Sequence, residues 1–160
     1  MGHPSAPAPD ARPPVTLREF RPNDLPFVGA IVAEGLHEHY DPSLYTSLSN
    51  EWPKGFLVAA DSSDVPAGFL LGVNQVEGEA RVLMFAVERR QRAQGIGTLL
   101  MSTFLDRCRS RGFRRVTLEV RVSNATAIRF YTRYDFSVVD LLRAYYSDGE
   151  NGYQMARDLR

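Results

Sequence analysis

The chain has 160 residues, 44% of them apolar, which is enough to bury one domain-sized core. Its 19 basic residues balance its 19 acidic ones, so composition gives no support to a binder of nucleic acid or of a membrane surface, and any anion site must be local. A lone cysteine, Cys108, excludes an internal disulfide. No secretory or membrane-spanning run is present, which makes the cytoplasm the default expectation.

Residues 1–14, rich in proline and alanine and poor in large apolar side chains, are expected to form a disordered tail. His3 within it reads as a solvated side chain rather than a metal ligand. Residues 15–20, VTLREF, alternate apolar and polar and predict a strand. Asn23 and Asp24 then cap a helix whose apolar residues recur at Leu25, Val28, Val32 and Leu36. Residues 40–53 read as a loop. FLVAAD, AGFLLGVNQV and ARVLMFAVE follow as three strands of an antiparallel meander, punctuated by DSSDVP and by Gly78. A helix over residues 95–113 carries Leu100, Phe104 and Cys108 at four-residue spacing and stops at Gly112, so Cys108 is expected in the core. RVTLEVRV predicts a strand with Thr117, Glu119 and Arg121 on one face. A helix capped by Asn124 or Ser123 comes next, then two strands over residues 136–146 and 152–159 around the turn-forming SDGEN. No repeat and no second domain are visible.

RRQRAQGIGTLL, residues 89–100, places arginines before two glycines at a helix start, where unpaired N–H groups and the helix dipole suit an anion. The P-loop pattern fails, because Lys54 is the only lysine. The dinucleotide fingerprint would need glycine at Leu100 and a crossover unit that a meander does not supply. The pattern R/Q-x-x-G-x-G/A is met by Arg92, Gly95 and Gly97. Here the chain resembles the GNAT superfamily of acetyl-CoA-dependent N-acetyltransferases, in which this loop wraps the coenzyme A pyrophosphate. Taken alone, the same stretch also reads as an arginine-rich surface turn.

The second half strengthens the resemblance. N-x-x-A-x-x-x-Y falls on Asn124, Ala127 and Tyr131, and Asn124 and Tyr131 lie two helical turns apart, so both can face one ligand. Acetyl transfer to an amine needs a route for the amine's proton and a proton for the departing thiolate, and a carboxylate with a phenol fits these needs. Glu119 matches the general base of the ribosomal-protein-alanine N-acetyltransferase branch, acting through water. Tyr131 matches its general acid toward sulfur, and Asn124 a cofactor contact. Read singly, Tyr131 is also an ordinary core tyrosine, and Glu119 a strand-face salt-bridge partner of a neighbouring arginine.

YYSDGENGYQM resembles a C-terminal segment of the archaeal and eukaryotic protein N-terminal acetyltransferases, and LHEHY a loop beside their peptide mouth. The likeness covers nearly all of the chain after the tail. It implies an α/β (α+β) GNAT domain over residues 15–160, with a mixed, mostly antiparallel twisted sheet of about seven strands flanked by about four helices. It implies acetyl-CoA as donor and no metal. The donor is expected to contact Phe85, Ala86, Val87, Arg92, Ala93, Gln94, Gly95, Ile96, Gly97, Thr98, Asn124 and Tyr131, with the pantetheine arm pairing along residues 85–87. Glu38, Tyr40, Tyr145 and Tyr146 would line the acceptor entrance, although the tyrosine pair also reads as hairpin packing. Asp148 and Glu150 read as turn residues.

His37, Arg89 and Asn151-Gly152 depart from the family pattern, and Arg81 and Met84 stand where eukaryotic relatives tend to carry His and Ser. These departures bear on first-residue preference and on any alternative base. A protein α-amine, with a pKa near ~8 against ~10.4 for lysine, is roughly one-tenth neutral at pH 7, so one carboxylate suffices to deprotonate it. The expected acceptor is therefore the N-terminus of a protein or peptide, with an auxiliary subunit or a homodimer left open. Lysine or small-molecule amine acetylation, and a non-catalytic acyl-CoA sensor, are the alternatives.

Overall fold

The computed structural model describes residues 14–35, 40–92 and 94–159, without the side chain of Gln75. The expected tail therefore lies outside the described residues except for Pro14, as do Glu38 and Ala93. Seven strands form one sheet: β1 (Thr16–Glu19), β2 (Phe56–Ala60), β3 (Pro66–Val76), β4 (Glu79–Val87), β5 (Arg115–Arg121), β6 (Ser137–Leu142) and β7 (Gly152–Asp158). Their order is β1-β2-β3-β4-β5-β7-β6. The β4–β5 pair is parallel and the others are antiparallel, so the mixed, mostly antiparallel sheet expected from sequence is present. Four α-helices flank it: α1 (Leu25–Gly35), α2 (Pro42–Glu51), α3 (Ile96–Arg111) and α4 (Ala125–Arg133). A parallel pair cannot be joined by a tight turn, and α3 makes the crossover between β4 and β5.

The two sheet faces carry separate cores. Leu100, Met101, Phe104 and Cys108 of α3 pack with Val116, Leu118 and Val120 of β5. On the opposite face, Val28, Ile31 and Val32 of α1 and Tyr45 of α2 pack on Val58, Phe69 and Leu71. Cys108 is wholly buried in the first core, as its spacing predicts.

Three expectations are corrected. Residues 40–53 are not a loop but contain α2, capped by Asp41, whose Oδ1 accepts from Ser43 N at 2.8 Å, with proline opening the first turn. Only Leu44, Tyr45 and Leu48 mark its apolar face, a thin signal in a polar run. The expected cap of the first helix is displaced as well: Pro22–Asp24 form a 3₁₀ turn, and Asp24 Oδ2 reaches back to accept from Arg21 N at 2.8 Å. Asp24 is buried because Arg18 neutralises it through two hydrogen bonds of 2.8 and 2.9 Å. Finally, the strand predicted over residues 136–146 stops at Leu142, and Ala144 takes a φ of 48° that breaks the extended run, so Tyr145 and Tyr146 belong to a turn.

One irregularity governs the rest. Leu71 faces Met84 and Gly72 faces Val82, which leaves Leu83 as an extra residue on β4. The bulge inverts the strand's alternation: Ala80 and Val82 face the α3 core, whereas Met84 and Ala86 face the α1 core. It also falls one residue after Val82↔Leu118, the last β4–β5 pair. Gly72 is required beside it, because a Cβ there would enter the Phe104 ring. Gly72→Ala is expected to lower unfolding free energy by about 1–3 kcal/mol through overpacking, seen as a lower urea midpoint at unchanged slope.

Candidate active site

Beyond Val82 and Leu118 the two central strands part. Strand β5 keeps its ladder to β7 through Arg121↔Gly152, while β4 runs on to Val87 paired only with β3. The fork so formed leaves the facing edges of both strands unpaired, that of β4 along Leu83 to Val87 and that of β5 beyond Leu118. Phe85, on the α3 side after the bulge, packs edge-on against Phe130 and Tyr131 of α4, at centroid distances of 5.6 and 6.4 Å.

At the end of β4 the chain makes a 3₁₀ turn, Arg89–Gln91, and reaches Gly95, whose φ of 80° suits glycine and sets up α3. α2 and α4 are each capped by a side chain of their own, Asp41 and Asn124, whereas the N-cap of α3 is Gly95, which has no side chain to offer. Ile96 is buried and anchors the helix start, while Arg89, Arg90, Arg92, Gln94 and Thr98 are exposed. A Cβ on Gly97 would meet Phe85 and Phe130 at an ordinary 3.5 and 3.7 Å, so packing within the chain does not demand glycine there. A glycine-led helix start with bare backbone and arginines beside it fits a phosphate-bearing ligand. Arg92 is also a structural tie, its Nε donating to Val87 O at 3.1 Å. Asn124 is the cap predicted for α4, its Oδ1 accepting from Ala127 N at 3.1 Å.

Glu119 lies one residue past the fork on the face opposite the α3 core. Its Oε2 accepts from Arg81 Nε at 2.9 Å, and both side chains are mostly shielded, at 13% and 22% exposure. The register explains the contact: Arg81 faces Thr117, so Glu119 is its diagonal neighbour on the same sheet face. The strand-face salt bridge that competes with the functional reading of Glu119 is thus formed, and by the residue that occupies a family-variant position. Arg81 Nη2 also donates to Tyr145 Oη at 3.3 Å.

A second arginine fixes the tyrosine turn. Arg121 Nη1 donates to Asp148 Oδ2 at 2.8 Å and Glu150 Oε1 at 2.9 Å, and its guanidinium lies 4.1 Å from the centre of the Tyr146 ring. Ser123 N and Arg121 both bond Glu150, holding its carboxyl below the ordinary value. Asn151 Oδ1 accepts from Ala144 N at 2.8 Å and closes the other side. Tyr145 and Tyr146 meet edge-to-face at 5.0 Å. Gly152 lies beneath them, where a Cβ would come within 3.1 Å of the Tyr146 ring. Burial, then Tyr145, pushes the Tyr146 phenol up to about 12; burial, then Tyr146, does the same to Tyr131. Tyr146 also feels the charge of Glu119, so this phenol links the base candidate to Tyr131.

The structure therefore brings Glu119, Tyr145, Tyr146 and Tyr131 to one fork. Tyr40 packs its ring edge-on against Tyr45 at 6.4 Å. Roles for Arg81, Arg121 and Gly152 were missed by sequence reasoning. The alternation of Arg121 with Glu119 and the two acids of the DGE turn were the available signal for the second of these. Two polar recesses around Arg115 and Asp158 lie at the far end of β5 and take no part. Among the described residues, no group of three His, Cys, Asp or Glu side chains could hold a metal ion, and no helix is long and apolar enough to cross a membrane.

A forked sheet whose free β4 edge runs toward a glycine-led helix, with a carboxylate and a phenol at the fork, has the groups that transfer from a phosphate-bearing acyl donor requires. Residues 17–136 match the Acetyltransferase (GNAT) family, and the chain belongs to it. It is 34% identical over 147 residues to an uncharacterised N-acetyltransferase of Methanocaldococcus jannaschii, covering 88% of this chain and 90% of the relative. It is 31% identical over 156 residues to an N-alpha-acetyltransferase of Saccharolobus solfataricus, covering 90% and 93%. The crystal structure of Ard1 from Thermoplasma volcanium superposes with a TM-score of 0.88 at 41% identity, covering 92% of this chain and 99% of that one. The protein is an acetyl-CoA-dependent N-acetyltransferase whose similarities fall in the protein N-terminal acetyltransferase branch.

Burial sets a pH limit on the fold. The Tyr131 and Tyr146 phenols rise to about 12 from 10.0, and the Cys108 thiol to about 12 from 9.0, so the unfolded chain releases these protons first. Their contribution to stability is complete below about pH 9 and is lost as pH climbs toward about 12. The urea midpoint is expected to fall across that interval, and to fall less steeply in Tyr131→Phe.

Proposed function

We propose that this enzyme transfers the acetyl group of acetyl-CoA to the α-amine at the N-terminus of a protein or peptide. The observation that carries the reading is the Arg81–Glu119 pair at 2.9 Å beside Tyr145. Small polyamines carry several positive charges and favour an acidic pocket, whereas here the carboxylate is balanced by a guanidinium. Tyrosine hydroxyls at the mouth can bond a peptide backbone without selecting its sequence. The names of the archaeal N-alpha-acetyltransferases point the same way.

In this reading Gln94, Gly95, Ile96, Gly97 and Thr98 offer backbone around the donor's pyrophosphate, Arg92 adds charge, and Asn124 contributes its amide, while the expected contact at Ala93 falls outside the described residues. The donor supplies an activated acetyl thioester, and the free β4 edge at Phe85, Ala86 and Val87 pairs with its pantetheine arm. Tyr40, Tyr145 and Tyr146 line the acceptor entrance, and the expected contribution of Glu38 falls outside the described residues. Glu119 takes the amine's proton through water. Tyr131 holds its own proton throughout the neutral range, as any tyrosine does, and burial raises its phenol further to about 12. Against a departing thiolate of pKa near ~8.5 it acts chiefly by donating a hydrogen bond, since full transfer is uphill.

The test is thiol release from acetyl-CoA at neutral pH. A short peptide beginning with serine or alanine is compared with the same peptide bearing a blocked α-amine and a free internal lysine. Turnover is expected only with the free terminus. Turnover only with the blocked peptide would establish a lysine enzyme, and silence with both would leave small amines or a non-catalytic acyl-CoA binder. A second variant probes the donor loop. Gly97→Ala is expected to fold as well as or better than the parent, alanine favouring helix by about 1 kcal/mol. Its acetyl-CoA affinity should fall roughly tenfold through lost backbone approach; thermal melts with and without donor read both effects.

A further inference from the structure

We propose that Arg81 is a positioning residue that balances the charge of Glu119, so that the acceptor amine meets an electrically neutral floor and is not trapped as an ammonium ion. The inference rests on the reading of Glu119 as the base. An unbalanced carboxylate within a few ångströms of an amine stabilises its protonated form, by roughly 1–3 pKa units, and a protonated amine cannot attack a thioester. Such a site would bind its substrate well and in the wrong state.

The geometry avoids this. Arg81 Nε occupies Glu119 Oε2 at 2.9 Å, and no partner for Oε1 is found among the described residues, so Oε1 is left to take a proton through water. Arg81 Nη2 reaches Tyr145 Oη at 3.3 Å, which sets the cation between the base and the mouth. The neighbouring positions add no charge of their own: Gln154 stands opposite Glu119 on β7, and Val73 and Thr117 stand opposite Arg81 on β3 and β5. From α1 the face is met by Val28, Ile31 and Val32. Tyr146 of the turn and Tyr131 of α4 are phenols, protonated at neutral pH even at their ordinary value, and burial raises them further. The next charges out are Asp140, opposite Gln154 on β6, and Arg121, Asp148 and Glu150, which are engaged with one another.

The experiment follows single-turnover acetylation of a saturating serine-initiated peptide from about pH 6 to about pH 9, which reports groups in the bound state. For Arg81→Gln, the half-maximal pH should rise by about one unit and the neutral-pH rate should fall about tenfold, with peptide KM unchanged or lower. Arg81→Lys should bring the pH limb back, since the proposal requires the charge and not the fork of donors. If Arg81→Gln does not fold, Arg81→Met removes the same charge and keeps an apolar stem. An unshifted limb, a rise in peptide KM alone, or an Arg81→Lys no closer to the parent than Arg81→Gln would overturn the proposal. Glu119→Gln separates the two readings. If it turns over at the parental rate, the base assignment fails; if it is slow while the Arg81→Gln limb stays in place, only the role of Arg81 fails.

Discussion

Two adjacent strands that stop pairing leave N–H and C=O groups without partners, and a sheet tolerates this only where something else can satisfy them. In this protein the break comes in the middle of the sheet, after Val82↔Leu118, and the Leu83 bulge turns β4 away from β5. That parting places Phe85 against α4, exposes an edge leading to Gly95, and leaves Glu119 at the base of the gap. Both faces of the sheet around it are filled, by α3 and α4 on one side and α1 and α2 on the other. The opening is therefore held by two cores that cannot close it without losing their own packing.

The polar residues at the fork are ordered by two arginines on one sheet face. Arg81 joins the β4 side to Glu119 and Tyr145, and Arg121 joins β5 to the acids of the turn and to the Tyr146 ring. Each cation meets a carboxylate and an aromatic hydroxyl or face, so the turn bearing both tyrosines is tied at two points. Gly152 lets the rings lie close to the sheet. The mouth is thus assembled from groups that are far apart in the chain and meet only through strand register.

The seven strands, α3 and α4 were legible because their periodicities are strong, the buried Cys108 followed from spacing, and of the two candidate caps for α4, Asn124 and Ser123, the structure takes Asn124. Helix α2 was not, although Asp41-Pro42 is a helix start, because polar residues dilute its apolar stripe. The Leu83 bulge was invisible for a deeper reason: after Arg81 the segment VLMFAV is an unbroken apolar run that gives no sign of which side chain faces which core, and the inversion appears only once Leu71 and Gly72 choose partners. The ion pair of Arg81 with Glu119 also needed register, since the residues are 38 positions apart and a parallel crossover brings them together. The end of β6 at Leu142 depended on the left-handed Ala144, a residue that seldom adopts that conformation.

The glycine start of α3 reaches beyond binding. In the proposed donor site its first N–H groups go to a ligand, and part of the helix's stability goes with them. With donor above its dissociation constant, each tenfold increase in donor concentration adds about 1.4 kcal/mol to the folded state. The resistance of this enzyme to unfolding and to proteolysis is then a function of how much acyl donor surrounds it.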